Sequence, residues 1–336
     1  MQKNNNFDIL RLGASLGVFF EHGSFVFDRQ MVGFFNNNYS FGSLSVFIFF
    51  FISGHLVFQS LKRSENLINF FSKRFFRIFP GLFFASLFSV FVVGLWMTSI
   101  EKIDFLTSEM VWITFLNYIS AIAVHHQLPG VFDFNPFPFT VNASLWTIKY
   151  EILMYFLLVV AVFFIGERRW KFGIVIVFSV FLFLLLPEFF WLYDLFYSKD
   201  FWRFGIVFFI GVVFVFFPLR KKNFILLLMI LGFLISYFGR NFYLVSLGVF
   251  IWLPALVFWI AYCDCLKSLK LPFDLSYGFY IYAFPVQQAM TEICLSYGLD
   301  KWVCLSFSFV IVFICAWISW VFIEKPAISW SRKKFM

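Results

Sequence analysis

The sequence predicts an all-α membrane protein, a polytopic helical bundle of about ten transmembrane helices with one re-entrant or interfacial segment near 105–125. Three observations carry that reading. Of the 336 residues, 62% are hydrophobic and 13% charged, against about a quarter charged in an ordinary soluble domain. The mean hydropathy is +0.88. Apolar runs of about 20 residues recur from end to end, each long enough to cross a hydrocarbon core of about 30 Å.

Taken in order, hydropathy marks spans over 7–28, 41–61, 76–98, 144–165, 172–187, 201–218, 223–239, 243–262, 273–296 and 301–323. The stretch 105–125 is also apolar, and the basic clusters decide its status. Lys62, Arg63, Lys73, Arg74 and Arg77 lie between the second span and the opening of the third, and Arg168, Arg169 and Lys171 follow the fourth. Arg220, Lys221 and Lys222 precede 223–239, Lys267 and Lys270 precede 273–296, and Arg332, Lys333 and Lys334 form the tail. The loops 28–40, 188–200 and 297–300 are poor in Lys and Arg. Counting 105–125 as a crossing would put the Arg168 cluster outside. Treating it as re-entrant or interfacial keeps every strong cluster cytoplasmic. Ten crossings follow, with both termini cytoplasmic. Residues 99–143 then form one external excursion holding His125, His126 and the proline-rich LPGVFDFNPFPF.

One integral-membrane domain over 1–336 accounts for the chain, with no fused extracytoplasmic domain. The net charge of +8 is a topological signal here and implies no nucleic-acid partner. Five cysteines, with Cys263 and Cys265 out of CxxC spacing, suggest neither a disulfide framework nor a metal site. The 59 phenylalanines read as lipid-facing filler.

Ionisable residues within spans are costly and are functional candidates by default. Arg11 and His22 are eleven positions apart, so they share a helix face about 16 Å apart along the axis. The charge topology sets Arg11 near the cytoplasmic mouth and His22 about two-thirds of the way across. Glu151, entering from outside, falls at a similar depth, about 10 Å below the external surface. A neutral imidazole there can take a proton from a hydroxyl, with a carboxylate to orient it. The structural alternative is a packed His22 with one hydrogen bond and an Arg11 that snorkels to lipid phosphate. His55, at the depth of Arg11, is a second candidate lining residue. Arg74 and Arg77 share a helix face and can clamp phosphates, or serve as an ordinary positive-inside anchor. In NASLWTIKYEILMYF, Trp146, Lys149, Tyr150 and Glu151 crowd the opening turns of a span, which suggests a wet, inward-looking pocket.

Together these stretches resemble the membrane-bound acyltransferase family 3, bacterial O-acetyltransferases of surface polysaccharides. FDILRLGASLGVFFEH is similar to the family's opening stretch, with Asp8, Arg11 and the Arg-x10-His pair. FIFFFISGHLVF resembles its Phe-rich Ser-Gly motif at Ser53 and Gly54, and SKRFFRIFP its Arg-x-x-Arg motif with Pro80. SLWTIKYEILMYF resembles its Trp-Ser-Leu-x-x-Glu motif, with Thr147 for serine. LSYGFYIYAFPV, which holds Tyr280, resembles its late Ser-Tyr…Tyr-Leu motif, and FIEKPA its closing Glu-Lys-Pro. Ala283 departs from the family, standing where many members carry a histidine, and His55 replaces a usual aromatic or aliphatic residue.

The resemblance implies an O-acyltransferase of the bacterial inner membrane that draws acetyl groups from cytoplasmic acetyl-CoA, the acyl donor, with no permanently bound cofactor and no metal. The acceptor would be a hydroxyl of a cell-surface or lipid-linked glycan of O-antigen or exopolysaccharide type. It implies Arg74 and Arg77 on the donor phosphates, His22 as catalytic base or nucleophile, and Arg11 and Glu151 in support. Asp8, Ser53, His55, Trp146, Lys149 and Tyr280 are the substrate-lining candidates. The alternative from another class is a transporter or flippase of a lipid-linked glycan, for which paired halves would be expected; none are visible.

Overall fold

The computed structural model describes residues 5–29, 31–121, 127–166, 171–176, 179–180, 199–217, 222–266, 269 and 271–335. His125, His126, Arg168, Arg169, Arg220, Lys221, Lys267 and Lys270 lie outside the described residues, as does more than half of the expected span 172–187.

The described residues are helical almost throughout. In order come α1 (Phe7–Asp28), a two-residue hairpin of β1 (Gly33–Phe34) and β2 (Tyr39–Ser40), α2 (Phe41–Lys62) and α3 (Leu67–Leu87). Helix α3 runs on through a π-helical stretch, Phe88–Val93, to Met97. Two short helices follow, α4 (Lys102–Thr107) and α5 (Glu109–Ser120). A 3₁₀ turn over Ala143–Thr147 leads into α6 (Ile148–Ile165). The rest are α7 (Lys199–Phe214), α8 (Lys222–Phe238), α9 (Phe242–Ala261), α10 (Ser276–Ser296), α11 (Lys301–Ser319) and, past a π segment at Trp320–Glu324, α12 (Lys325–Lys334).

Among the described residues, five helices are long and apolar enough to cross a membrane: Phe41–Lys62, Leu67–Met97, Ala143–Phe164, Phe242–Ala261 and Lys301–Lys334. These five do not confirm the expected count of about ten, and the other described helices depart from that measure in identifiable ways. Helices α1 and α10 have 22 and 21 residues but are diluted by polar groups, Asp8, Arg11, Glu21 and His22 in one and Gln287, Gln288 and Glu292 in the other. Within the described residues, α7 and α8 run for 16 and 17 residues. Helix α5 has 12 residues, about 18 Å of rise, too little for a crossing of the 105–125 stretch.

The chain forms two compact units. The first comprises Met1–Ala14, Gly33–Ser64 and Tyr150–Leu271, the second Ser15–Val32, Glu65–Lys149 and Pro272–Met336. In the first unit α2 and α7 touch backbone to backbone. A Cβ on Gly54 would lie 1.9 Å from the Phe208 carbonyl oxygen, and one on Gly211 would lie 2.2 Å from that of Phe51. Two facing glycines thus let the helices approach as small residues do in membrane bundles. Phenylalanine fills the space around this contact. Phe47, Phe51, Phe58 and Phe208 are fully buried, and Phe50 stacks on Phe204 with centroids 4.4 Å apart. Phenylalanine is therefore core material as well as the lipid-facing filler expected from composition. Cys263 is disulfide-bonded, which the cysteine spacing did not suggest.

In the second unit, α3 begins earlier than the hydropathy span at 76. Asn66 caps it, its side chain accepting the Asn69 N–H at 2.8 Å, an arrangement that satisfies an otherwise orphaned helix donor. Lys73, Arg74 and Arg77 therefore sit on a helix that starts ahead of the apolar span, and the helix continues through Pro80.

Candidate active site

The second unit builds its polar centre from an irregularity in α10. Pro285 has no N–H, so the carbonyl of Ile281, four residues earlier, loses its helical donor. Asn142 supplies the substitute. Its Nδ2 donates to Ile281 O at 2.9 Å and to Ser89 Oγ at 3.1 Å, and its backbone N–H donates to Tyr118 Oη at 3.1 Å. Asn142 is wholly buried, as are Ser89 and Tyr118. A polar group removed from water is retained at this cost only when bonded, so these contacts fix where the 3₁₀ turn starts.

Two residues on, Ser144 meets His22. Its Oγ lies 3.4 Å from His22 Nδ1, and the Phe284 ring stands edge-on to the imidazole with centroids 5.3 Å apart. Next to His22, Gly23 admits Gln287, whose Nε2 donates to Phe19 O at 2.7 Å. A Cβ on Gly23 would lie 2.9 Å from that nitrogen and 2.1 Å from Leu305 Cδ2. Further along the turn, Thr147 and Tyr280 share a hydrogen bond of 2.5 Å between hydroxyl oxygens. Trp146 and Lys149 are half-buried beside them in sequence. Gln288, also wholly buried, anchors the proline-rich excursion. Its Nε2 donates to Phe137 O and Thr140 O, each at 2.7 Å, and its Oε1 accepts from Asn135 Nδ2 at 2.8 Å.

At the start of α10 lies the arginine pair. Arg77 Nη2 donates to Asp274 Oδ2 at 2.8 Å, and Asp274 Oδ1 accepts from Ser276 Oγ at 2.8 Å. The Arg77–Asp274 ion pair is partly exposed, with 22% and 18% of the two side-chain surfaces accessible. Tyr277 Oη donates to Ile78 O at 2.9 Å, tying α10 to α3 one residue past Arg77. Arg74, one turn earlier, is half-buried. Glu324 of the Glu-Lys-Pro stretch is buried, its Oε1 accepting from Ser319 at 2.9 Å.

The first unit holds the other candidates. Glu151 Oε1 accepts from Ser53 Oγ at 3.1 Å and from Tyr155 Oη, and the Ser53 and Tyr155 oxygens are 3.3 Å apart. Ser53 and Glu151, picked out separately in the sequence, thus come together around a third residue it did not flag. Asp8 and Arg11 are half-buried on the first turns of α1. His55, expected as a lining residue, is 1% exposed. Its Nδ1 bonds Gly211 O at 3.3 Å, while Nε2 meets Tyr262 Oη at 3.0 Å and Gln59 Nε2 at 2.9 Å. Both ring nitrogens are engaged, and Phe7 packs on the ring at 5.2 Å. That is the environment of a core histidine.

The sequence reading missed Asn142, Ser144, Gln287 and Gln288. The adjacent glutamines had a usable signal, because consecutive amides in an apolar run demand partners. So did Pro285, whose position predicts an orphaned carbonyl at Ile281. Ser144 carried none.

The fold and this centre define a helical membrane protein whose polar residues are held in place by helix irregularities. The chain belongs to the acyltransferase 3 family, whose model, an acyltransferase domain, matches residues 4–323. It is an acyltransferase. It is 28% identical over 343 residues to the O-acetyl transferase of Shigella phage Sf6, covering 99% of each chain. It is also 31% identical over 189 residues to Nodulation protein 10 of Rhizobium leguminosarum bv. viciae, covering 50% of this chain and 46% of that protein. No solved structure gives a significant match.

Proposed function

We propose that this acyltransferase is a membrane O-acetyltransferase of the bacterial inner membrane. It takes the acetyl group of cytoplasmic acetyl-CoA to a hydroxyl of a cell-surface or lipid-linked glycan. The relative named O-acetyl transferase, similar over its full length, supports the group transferred, and the positive-inside clusters support a cytoplasmic donor. The observation that carries the reading is the span of α10. Tyr277 bonds beside Arg77 at one end, and Phe284 touches His22 seven residues later, about 10 Å along the axis. An extended acyl-carrying arm can bridge that gap. Arg74 and Arg77 then hold the donor phosphates, and His22 meets the thioester.

In the transfer, His22 Nε2 removes the proton of the acceptor hydroxyl as its oxygen attacks the thioester carbonyl. The carbon–sulfur bond breaks, and the departing thiolate takes the proton back from the imidazolium. Such general-base assistance is worth about 10²–10⁴ in rate. Purified protein supplied with labelled acetyl-CoA and a glycan acceptor should transfer label, and His22→Ala should lose nearly all of it. Full transfer by that variant would remove His22 from the chemistry. Label retained on the protein with donor alone would instead assign His22 as a nucleophile.

A further inference from the structure

We propose that Ser144 is the positioning residue of the reacting histidine. Its Oγ accepts the Nδ1–H of His22, which leaves the lone pair on Nε2. The inference rests on the reading of His22 as base and deepens it.

The Ser144 hydroxyl is 0% exposed, and among the described residues its hydrogen-bond partner is His22 Nδ1 at 3.4 Å. The hydroxyl and the ring nitrogen are within hydrogen-bonding reach, and the ring tautomer sets which of the two donates. Ser144 cannot drift from the ring. Asn142, two residues earlier, is pinned to Ser89, Ile281 and Tyr118, and the 3₁₀ turn carries the backbone directly on. The edge of Phe284 restrains the imidazole from the side. Ring, hydroxyl and turn are therefore all held before any substrate arrives.

Proton bookkeeping then sets the polarity of the bond. If the hydroxyl donated to Nδ1, the neutral ring would carry its proton on Nε2 and could only give a proton away. A base needs a lone pair at its outward nitrogen, which requires Nδ1–H to donate to Ser144. When Nε2 takes the acceptor proton, the ring becomes cationic and the Nδ1–H to Oγ bond becomes charge-assisted and stronger. Ser144 thus favours the protonated ring formed during transfer. Distances in an unliganded site also tighten when substrate binds, so 3.4 Å suits a contact that closes during the reaction.

The test compares Ser144→Ala, Ser144→Cys and Ser144→Thr with His22→Ala in purified, detergent-solubilised protein. Readouts are kcat, KM for acetyl-CoA and the pH dependence of kcat. A group that holds a general base in its working tautomer accounts for part of the roughly 10²–10⁴-fold such a base supplies, so alanine and cysteine should lower kcat about 10–100-fold. KM for the donor should stay within twofold, and the acidic limb of the pH profile should move. Threonine keeps the hydroxyl and should recover kcat to within a few-fold. If alanine prevents accumulation, the isosteric cysteine and threonine variants decide. An inactive His22→Ala alongside a fully active Ser144→Cys overturns the role of Ser144 alone. A threonine variant as impaired as the cysteine one does the same. An active His22→Ala overturns the reading on which it rests.

Discussion

Asn142 donates to the carbonyl of Ile281, 139 residues away in sequence, at 2.9 Å, and that carbonyl is orphaned by Pro285. The nitrogen of a loop amide thus satisfies the carbonyl that a helix defect leaves open, although the amide's own Oδ1 is buried without a hydrogen-bond partner among the described residues. The bond also registers the turn that delivers Ser144 to His22, so the defect serves the site as well as the packing.

Asn142→Ala should strip Ile281 of its donor and destabilise the protein by about 1–3 kcal/mol. Pro285→Ala restores an N–H to α10 at the position that Ile281 needs. The cost of Asn142→Ala should therefore shrink by about 1 kcal/mol in the Pro285→Ala background, a coupling that a double-mutant cycle of thermal unfolding would measure. Additive costs would show that the two residues do not share the carbonyl.

Gly54→Ala and Gly23→Ala should differ sharply, although both introduce one methyl group. At Gly54 the new atom meets the Phe208 carbonyl at 1.9 Å. Backbone cannot step aside, so α2 and α7 must separate, and folded protein in membranes should fall steeply. At Gly23 the nearest atom is the end of the Leu305 side chain, which can rotate. The expected cost there is about 1–3 kcal/mol, the usual range for overpacking. Equal accumulation of the two variants would contradict the packing argument.

Asp274→Asn and Arg77→Ala should move the KM for acetyl-CoA in opposite directions. Asp274 occupies one edge of the Arg77 guanidinium, so its neutralisation strengthens the positive field offered to donor phosphates and should lower KM about twofold. Removing Arg77 should raise KM about tenfold, the loss of one charge-assisted contact of about 1.4 kcal/mol. Neither change should alter stability by more than about 1 kcal/mol, because the pair is partly solvated. If Asp274→Asn instead raises KM, the carboxylate is there to aim the arginine.

Glu151→Gln and Tyr155→Phe should be non-additive. Ser53 and Tyr155 both donate to Glu151 Oε1, and hydrogen bonds to a charged acceptor are worth about 1.5–3 kcal/mol each. Once glutamine has replaced the carboxylate, removing the Tyr155 hydroxyl should cost less than it does in the parent protein. Chemical denaturation of the three variants would show this, and independent costs would separate Tyr155 from Glu151.

His22, Glu151, Ser53, Arg74 and Arg77 were legible because each breaks an apolar or helical pattern at a motif position. The pattern does not say with what each residue pairs. His55 and His22 look alike in sequence, as lone imidazoles in apolar helices. Only the packing of Gly211, Tyr262 and Gln59 around one, and of Ser144 and Phe284 around the other, tells them apart. Hydropathy marks the apolar span from 76, whereas the helix carrying Arg74 starts at Leu67 behind the cap that Asn66 provides.

By itself, then, the sequence determined the helical membrane class, the acyltransferase family through the order of its motifs, and which ionisable groups stand out. Those are local properties, written in runs of a few residues and in hydropathy. The tertiary structure decided that Asn142 repairs the break at Pro285, that Ser144 meets a histidine 122 residues away, and that Asp274 takes the edge of Arg77. Buried polar atoms must find partners, and in a helical bundle the partner is chosen by which helices pack together. That choice belongs to the whole chain rather than to any stretch of it.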